Sequence, residues 1–343
     1  MLEIREYVDI KEYCTLKIGG QFRFFAVIKD ESKLMEAYTY AQEKGLKVMP
    51  LGGGSNLVFP DGVLDVLALK IEHLGFTIVD ENDEYADVEI GAGESWDSVV
   101  ARVCAMGLSG VEAMSAIPGT TGATPVQNVG AYGQEIKDTL LSVRVFDTHD
   151  FSFKTLSNRE CKFAYRNSIF KNEDKGRYVI TSIILRLSKK APLIPNYKGV
   201  KEFFVEQGIS TPSLAQIREA IVAIRKVKLP DPKEIPNVGS FFENPIVEKR
   251  LADELKNIYP TVPSFDVGNN FVKIPAGWLI ENAGLKGKDF GVISTYANNA
   301  LVLVNNGQAT RADIEYVRDE IIKKIFEKFG ITLEQEPEMI KNG

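Results

Sequence analysis

Leu51-Gly52-Gly53-Gly54-Ser55-Asn56 and Ile117-Pro118-Gly119-Thr120-Thr121-Gly122-Ala123-Thr124-Pro125-Val126-Gln127-Asn128-Val129-Gly130-Ala131-Tyr132-Gly133 are two glycine-rich runs about one small domain apart. Glycine costs chain entropy, so such clusters mark places where a backbone turns at positive φ or approaches a ligand closely. Successive backbone N–H groups in these turns form an anion-binding concavity that suits a pyrophosphate. Each run follows an apolar, strand-like segment. Together they point to a large phosphate-bearing cofactor gripped along its length.

Two common nucleotide motifs are absent. Gly52-x-Gly54 and Gly91-x-Gly93 lack the third glycine of a dinucleotide fingerprint, because Leu57 and Trp96 stand there. Gly287-Lys288 is followed by Asp289 and has Asn282 five residues upstream, which rules out a Walker loop.

Around the runs, the first half alternates strand and helix signals. Phe22 to Ile28 is aromatic and β-branched and reads as a strand. Asp30-Glu31-Ser32 opens a helix with Leu34, Ala37, Tyr38 and Ala41 at helical spacing, stopped at Gly45. Leu46 to Leu51 leads straight into the first glycine run, and Val63–Leu69, Phe76–Val79 and Val88–Ile90 read as further strands. Ser95 caps a helix through Met106. Strands follow at Leu141–Phe146, Phe151–Leu156 and Tyr178–Leu187, then a linker at Ala191–Pro195. Helices are expected at Ser213–Lys228, Val247–Ile258 and Thr310–Phe329, with a strand at Ala300–Val304. Several strands in a row without helices favour an α+β fold of two small lobes over a doubly wound sheet.

The 343-residue length implies two or three domains. A net charge of −6 argues against nucleic-acid and anionic-membrane partners, which need a basic face. No apolar run approaches the ~18 residues of a membrane helix, and the charged N-terminus lacks the apolar core of a signal peptide. Cys14, Cys104 and Cys161 are odd in number and widely spaced, as in a cytosolic protein with reduced thiols. With only His73 and His149, no metal site is expected, and His149 falls in the turn Asp147-Thr148-His149-Asp150. Acid–base chemistry must draw on Ser, Tyr, Lys, Arg or carboxylates.

Leu51 to Phe59, Ile117 to Gly122 and Gln127 to Gly133 resemble the FAD loops of the flavoenzyme superfamily typified by vanillyl-alcohol oxidase and p-cresol methylhydroxylase (PCMH). Phe163-Ala-Tyr-Arg-Asn-Ser-Ile-Phe-Lys171, Lys228-Leu-Pro-Asp-Pro232 and Gly239-Ser-Phe-Phe-Glu-Asn-Pro245 resemble one family within it, the UDP-N-acetylenolpyruvoylglucosamine reductases. The likeness runs from about Cys14 to Glu336. It implies a two-lobed PCMH-type FAD-binding domain over about 15–190 (lobes about 15–70 and 71–190) and a C-terminal α+β substrate-binding domain over 211–340. It also implies NADPH-driven, FAD-dependent reduction of UDP-N-acetyl-3-O-(1-carboxyvinyl)-glucosamine to UDP-N-acetylmuramate. That is a cytoplasmic step of peptidoglycan synthesis, cell-wall biogenesis and division, catalysed by a monomer.

Carried over residue by residue, the resemblance makes Arg166, Ser240 and Glu336 catalytic. Arg166 would fork onto a carboxylate, Glu336 would steady the enolate, and Ser240 would protonate carbon. Tyr132, Tyr165, Tyr197, Lys228, Asn244 and Phe265 become substrate contacts. Leu51, Gly52, Gly53, Gly54, Ser55, Asn56, Ile117, Pro118, Gly119, Thr121, Gly122, Pro125, Gln127, Asn128, Gly130, Ala131 and Arg225 become FAD contacts. No histidine neighbours either glycine run, so the FAD is expected to be non-covalent.

Structural alternatives stand beside these roles: Tyr165 and Tyr197 as core aromatics, Lys228 as a solvated helix end, Ser240 as a turn residue, Arg166 as a structural ion pair. Glu334 is the alternative carboxylate. At the level of the whole chain, an alcohol or sugar oxidase of the superfamily and a non-catalytic nucleotide-binding module are the rivals. The insertion holding Tyr197 and residues 198–211 places the chain in the family's longer subclass. Two departures are Phe265, where a loop tyrosine is usual, and Asn298 or Asn299, where a glutamine is frequent.

Overall fold

The computed structural model describes residues 2–341. Its first unit holds β1 (Ile4–Asp9), β2 (Gln21–Ile28), α1 (Ser32–Lys44), β3 (Lys47–Leu51), β4 (Leu57–Val58) and β5 (Val63–Ile71). The sheet order is β1-β2-β5-β3, with β2 and β3 both parallel to β5. A central parallel strand is covered on both faces, which is why Leu64 and Val66 to Leu69 read as a nearly unbroken apolar run. α1 covers one face through Leu34, Ala37, Tyr38 and Ala41, and ends at left-handed Gly45 (φ 64). Phe22, Phe25 and Phe59 fill the other face.

The second unit is antiparallel. It contains β6 (Phe76–Glu81), β7 (Tyr85–Gly91), α2 (Trp96–Ala105), β8 (Gly130–Ala131), β9 (Gln134–Glu135), β10 (Leu140–Asp147), β11 (Ser152–Ser157) and β12 (Tyr178–Ser188). The large sheet runs β11-β10-β12-β7-β6. One apolar cluster joins Phe24, Leu67 and Leu69 of the first sheet to Val88, Val143 and Ile183 of the second, with α1 and α2 between them. Full burial of each such side chain contributes roughly 1.5–3 kcal/mol. The Asp147–Asp150 turn lies where expected, anchored by buried Asp147, which pairs with Arg177 (2.8 Å) and Lys154 (2.6 Å). The strand expected from Phe151 starts one residue later, because Phe151 itself is left-handed (φ 54).

Two helices follow, α3 (Lys198–Glu206) and α4 (Leu214–Lys228). Ser213 caps α4 in a capping box with Gln216. The last unit comprises β13 (Asn237–Ser240), β14 (Ile246–Glu248), α5 (Lys249–Ile258), β15 (Phe265–Gly268), β16 (Phe271–Lys273), α6 (Ala276–Asn282), β17 (Ile293–Tyr296), β18 (Asn299–Asn305), α7 (Arg311–Phe329) and β19 (Glu338–Met339). The helix expected from Val247 begins at Lys249, since Val247 and Glu248 pair instead with Val272 and Phe271. α7 is capped by Thr310 and lays Ile314, Val317, Ile321, Ile325 and Phe329 on a core that includes Leu16, Ile18 and Val58. The tail returns to the start: β19 pairs parallel with β4, directly after the first glycine run. The whole is α+β, two small lobes followed by a second α+β unit, as the strand and helix order led one to expect.

Candidate active site

The two glycine runs meet. The Ser55 hydroxyl donates to the Pro118 carbonyl (3.1 Å), and a Cβ on Gly53 would stand 2.8 Å from the Gly119 Cα. Only glycine allows backbones this close. Gly54 adds a left-handed turn (φ 62). The Lys70 ammonium donates to the Gly52 carbonyl (2.6 Å), and burial pulls its pKa down.

Between the runs opens a cavity of about 380 Å³, within the range of ligand pockets. Leu51 to Asn56, Ile117 to Gly119, Gly122, Gln127, Gly130 and Arg225 line it, along with Arg166, Ser240 and Glu336. Thr121, Pro125, Asn128 and Ala131 stand behind the wall. Thr121 donates to the Glu94 carbonyl (3.1 Å), while the buried Asn128 amide donates to Glu135 (2.9 Å) and the Ala164 carbonyl (3.0 Å). They shape the second run more than they face the cavity.

Arg225 is partly buried on α4. Its Nε donates to the Ala116 carbonyl (3.2 Å), and the Ala116 N–H donates to Asp97 (2.6 Å), which pairs with Arg218 (2.6 Å). Burial pulls the Arg225 guanidinium down from its ordinary pKa, against the nearby Tyr132 phenol. Two arginines of one helix thus fix the start of the second glycine run.

At the far end the C-terminal tail delivers a carboxylate. The N–H of Glu336 donates to the Phe241 carbonyl (2.9 Å), Glu243 N–H donates to the Glu334 carbonyl (2.9 Å), and Phe242 bridges Gln335. Ser240, at the end of β13, is therefore one residue from the strand contact that seats Glu336. This register points Glu336 into the cavity and leaves Glu334 exposed. Asn56 donates to Gln127 (2.8 Å), and Gln127 donates to Glu336 Oε1 (3.2 Å), so both glycine runs hold the carboxyl.

Arg166 reaches the same oxygen from the other side, with Nε 3.1 Å from Oε1. The side chains are only 19% and 13% exposed. The N–H is not aimed at that oxygen, and Nε is one of two buried side-chain polar atoms without a hydrogen-bond partner among the described residues. The other is Thr15 Oγ1, whose own backbone N–H donates to the Gly54 carbonyl (3.2 Å). Arg166 is also left-handed (φ 50), a strained backbone of the kind found at functional sites. Burial raises the Glu336 carboxyl above the usual carboxylate range, with Arg166 opposing it.

The other six residues lie outside the cavity wall in two groups. Tyr132 and Tyr197 meet edge to face (5.0 Å), and Lys228 lies 6.0 Å from the Tyr197 ring. Tyr197 is half exposed, unlike a core aromatic. Asn298 donates to the Val227 carbonyl (3.1 Å) at the end of α4, beside Lys228. In the second group the Tyr165 hydroxyl accepts the Asn244 N–H (3.4 Å), and the Asn244 side chain accepts the N–H of Ala276 (2.9 Å) at the start of α6. Lys273 sits over the Tyr165 ring (4.8 Å) and pairs in register with Phe265, which is 56% exposed on β15. Lys171 lines the cavity, Lys70 holds the Gly52 carbonyl behind it, and Lys273 covers Tyr165 outside it; no local motif marks Lys70 or Lys273. Lys171 ends the quoted stretch from Phe163, its only signal.

The residues present fit FAD: a backbone cradle that a Cβ would fill, a cavity between both runs, and an unpartnered guanidinium N–H in its lining.

Residues 231–340 match the family model for the UDP-N-acetylenolpyruvoylglucosamine reductase C-terminal domain, and residues 22–150 match that for an FAD binding domain. UDP-N-acetylenolpyruvoylglucosamine reductase of Flavobacterium johnsoniae is 41% identical over 99% of this chain and 100% of its own. That of Pseudomonas aeruginosa is 38% identical over 98% and 99%. Among solved structures, UDP-N-acetylenolpyruvylglucosamine reductase from Thermus caldophilus shares the fold, with a TM-score of 0.68, 22% identity and 99% of each chain covered.

Proposed function

The chain belongs to the UDP-N-acetylenolpyruvoylglucosamine reductase family, and from that premise we infer what each part of the cavity does. The reaction is NADPH-driven reduction of UDP-N-acetyl-3-O-(1-carboxyvinyl)-glucosamine to UDP-N-acetylmuramate, the peptidoglycan precursor step. One observation carries the reading: Arg166, Ser240 and Glu336, from three separate stretches of chain, line a single cavity with both glycine runs.

FAD would be held by residues 51–56, by Ile117, Pro118, Gly119, Gly122, Gln127 and Gly130 of the second run, with Thr121, Pro125, Asn128 and Ala131 shaping that run from behind, and by Arg225; it would supply the hydride chemistry between NADPH and the vinyl carbon. The protein's own task is the charge that then develops beside the substrate carboxylate. The Arg166 guanidinium stays cationic and presents a fork to that carboxylate. Burial raises the Glu336 carboxyl, and in its protonated form Glu336 can donate to the developing enolate oxygen. The Ser240 hydroxyl gives a proton to carbon, an acceptor basic enough to take it from a weak acid, while Arg166 eases the transient alkoxide.

Tyr197 is assigned to the enolpyruvyl part of the substrate, Lys228 and the loop that carries Phe265 to its diphosphate, and Tyr132, Tyr165 and Asn244 to further substrate contacts. Within this reading residues 15–190 hold FAD and residues 211–340 hold the sugar nucleotide. The protein acts as a cytoplasmic monomer without nucleic-acid or membrane partners. Its net charge of −6 weighs against nucleic-acid and anionic-membrane partners, and among the described residues no helix is long and apolar enough to cross a membrane.

The test is anaerobic. NADPH should bleach the flavin absorbance, and the enolpyruvyl sugar nucleotide should restore it with formation of UDP-N-acetylmuramate. Bleaching by simple alcohols or sugars, with no response to NADPH, would assign the cavity to an oxidase instead.

A further inference from the structure

Lys171 has no part in the reading so far, yet its ammonium touches both halves of the reactive end. It donates to the Arg166 carbonyl (3.0 Å) and pairs with Glu243 Oε1 (3.2 Å). Arg166 belongs to the FAD-binding unit, whereas Glu243 follows Ser240 by three residues and hydrogen-bonds the tail that carries Glu336. Lys171 and Glu243 are both partly buried, at 30% and 18% side-chain exposure, and Lys171 also lines the cavity. A screened surface pair contributes little, but this one sits where the low dielectric strengthens each charge.

We propose that Lys171, paired with Glu243, is a positioning residue that holds Arg166 in its left-handed backbone and balances the charge around the Arg166–Glu336 contact. This rests on the catalytic reading of Arg166 and Glu336. Two physical consequences follow. A non-glycine residue at positive φ persists only where its surroundings over-determine it, and a cation on its carbonyl does this for Arg166. Removing that cation also leaves the Glu243 carboxylate unopposed beside Glu336.

The charged and titratable groups that face Glu336 are Arg166, Lys171 and Tyr165 from the 163–171 stretch and Glu243 from the extension of β13; Gln127 and Asn56 face it from the glycine runs as neutral amides. Burial and Glu243 favour its protonated form, whereas Arg166 and Lys171 favour the ionised one. Loss of Lys171 therefore makes Glu336 keep its proton to higher pH, and loss of the Glu243 charge makes it release the proton at lower pH.

The experiment uses the holoenzyme and follows, across pH, flavin reoxidation by the enolpyruvyl sugar nucleotide. A second readout that needs no turnover is the infrared carboxyl band identified by its loss in Glu336→Gln. The alkaline limb and the band should move up by about one pH unit in Lys171→Met and down by a similar amount in Glu243→Gln. Both should return near their original positions in the double variant and in Lys171→Arg. Limbs that stay fixed, or move the same way in both single variants, overturn the proposal. If Lys171→Met does not fold, Glu243→Gln decides alone, and an unmoved band there refutes it. A wild-type protein that ignores the enolpyruvyl sugar nucleotide refutes the catalytic reading instead, while the infrared arm still judges the charge balance.

Discussion

Gly53→Ala probes the cradle sterically. Its new Cβ would stand 2.8 Å from the Gly119 Cα and 3.4 Å from the Gly119 carbonyl carbon, where non-bonded carbons rest at about 3.5–4.0 Å. Both neighbours are backbone, and the Ser55 to Pro118 hydrogen bond ties the runs together at that point. One run must therefore shift by roughly 1 Å to restore contact distance. Overpacking on this scale costs ~1–3 kcal/mol, and a cost borne by the FAD-bound state alone weakens affinity about 5–150-fold. The assay titrates deflavinated protein with FAD and reads flavin fluorescence. Gly75→Ala is the control, because a Cβ there meets nothing within 4 Å. A Gly53→Ala protein that binds FAD as tightly and melts at the same temperature as its parent would refute the close-approach argument.

Arg166→Lys keeps the charge but loses the fork. Turnover should fall ~100–1,000-fold with flavin content unchanged, measured by steady-state kinetics on matched holoenzyme. Asp147→Asn tests stability through pH. Hydrogen bonds from Arg177, backed by Lys154, hold the buried Asp147 carboxyl well below the usual carboxylate range. A group whose folded pKa is depressed contributes stability above its unfolded pKa of about 3.9, and that stability is lost as pH falls. The variant should thus lose ~3–5 kcal/mol near neutral pH, and the gap to wild type should shrink as pH drops below about 4. Calorimetry between pH 7 and 3 checks this, and a constant gap would contradict it.

Local patterns were the legible part of the chain. The helices over 32–44, 214–228 and 311–329 show their caps and apolar stripes in the sequence, and the strands flanking the glycine runs lie within a few residues of expectation. α3 escaped notice because Gly199 sits in its first turn and only Val200 and Phe204 are buried. The β15–β16 hairpin is short and half exposed, so no alternation betrays it. Its left-handed Asn269-Asn270 pair (φ 52 and 63) is the turn signal that could have found it. Which of Glu334 and Glu336 faces the cavity is not a local property at all. It is set by the contact of 241–243 with the tail and by β19 on β4, pairings between positions far apart in sequence. The same holds for Lys171 and Lys273, whose importance comes from what other stretches place beside them.

In the proposed reaction Ser240 donates the proton to carbon in the second half-reaction only. Stopped-flow absorbance on anaerobic Ser240→Ala holoenzyme separates the halves. Flavin bleaching by NADPH should keep its wild-type rate, while reoxidation by the enolpyruvyl sugar nucleotide should slow ~100–10,000-fold. Equal slowing of both halves, or of neither, would contradict the account.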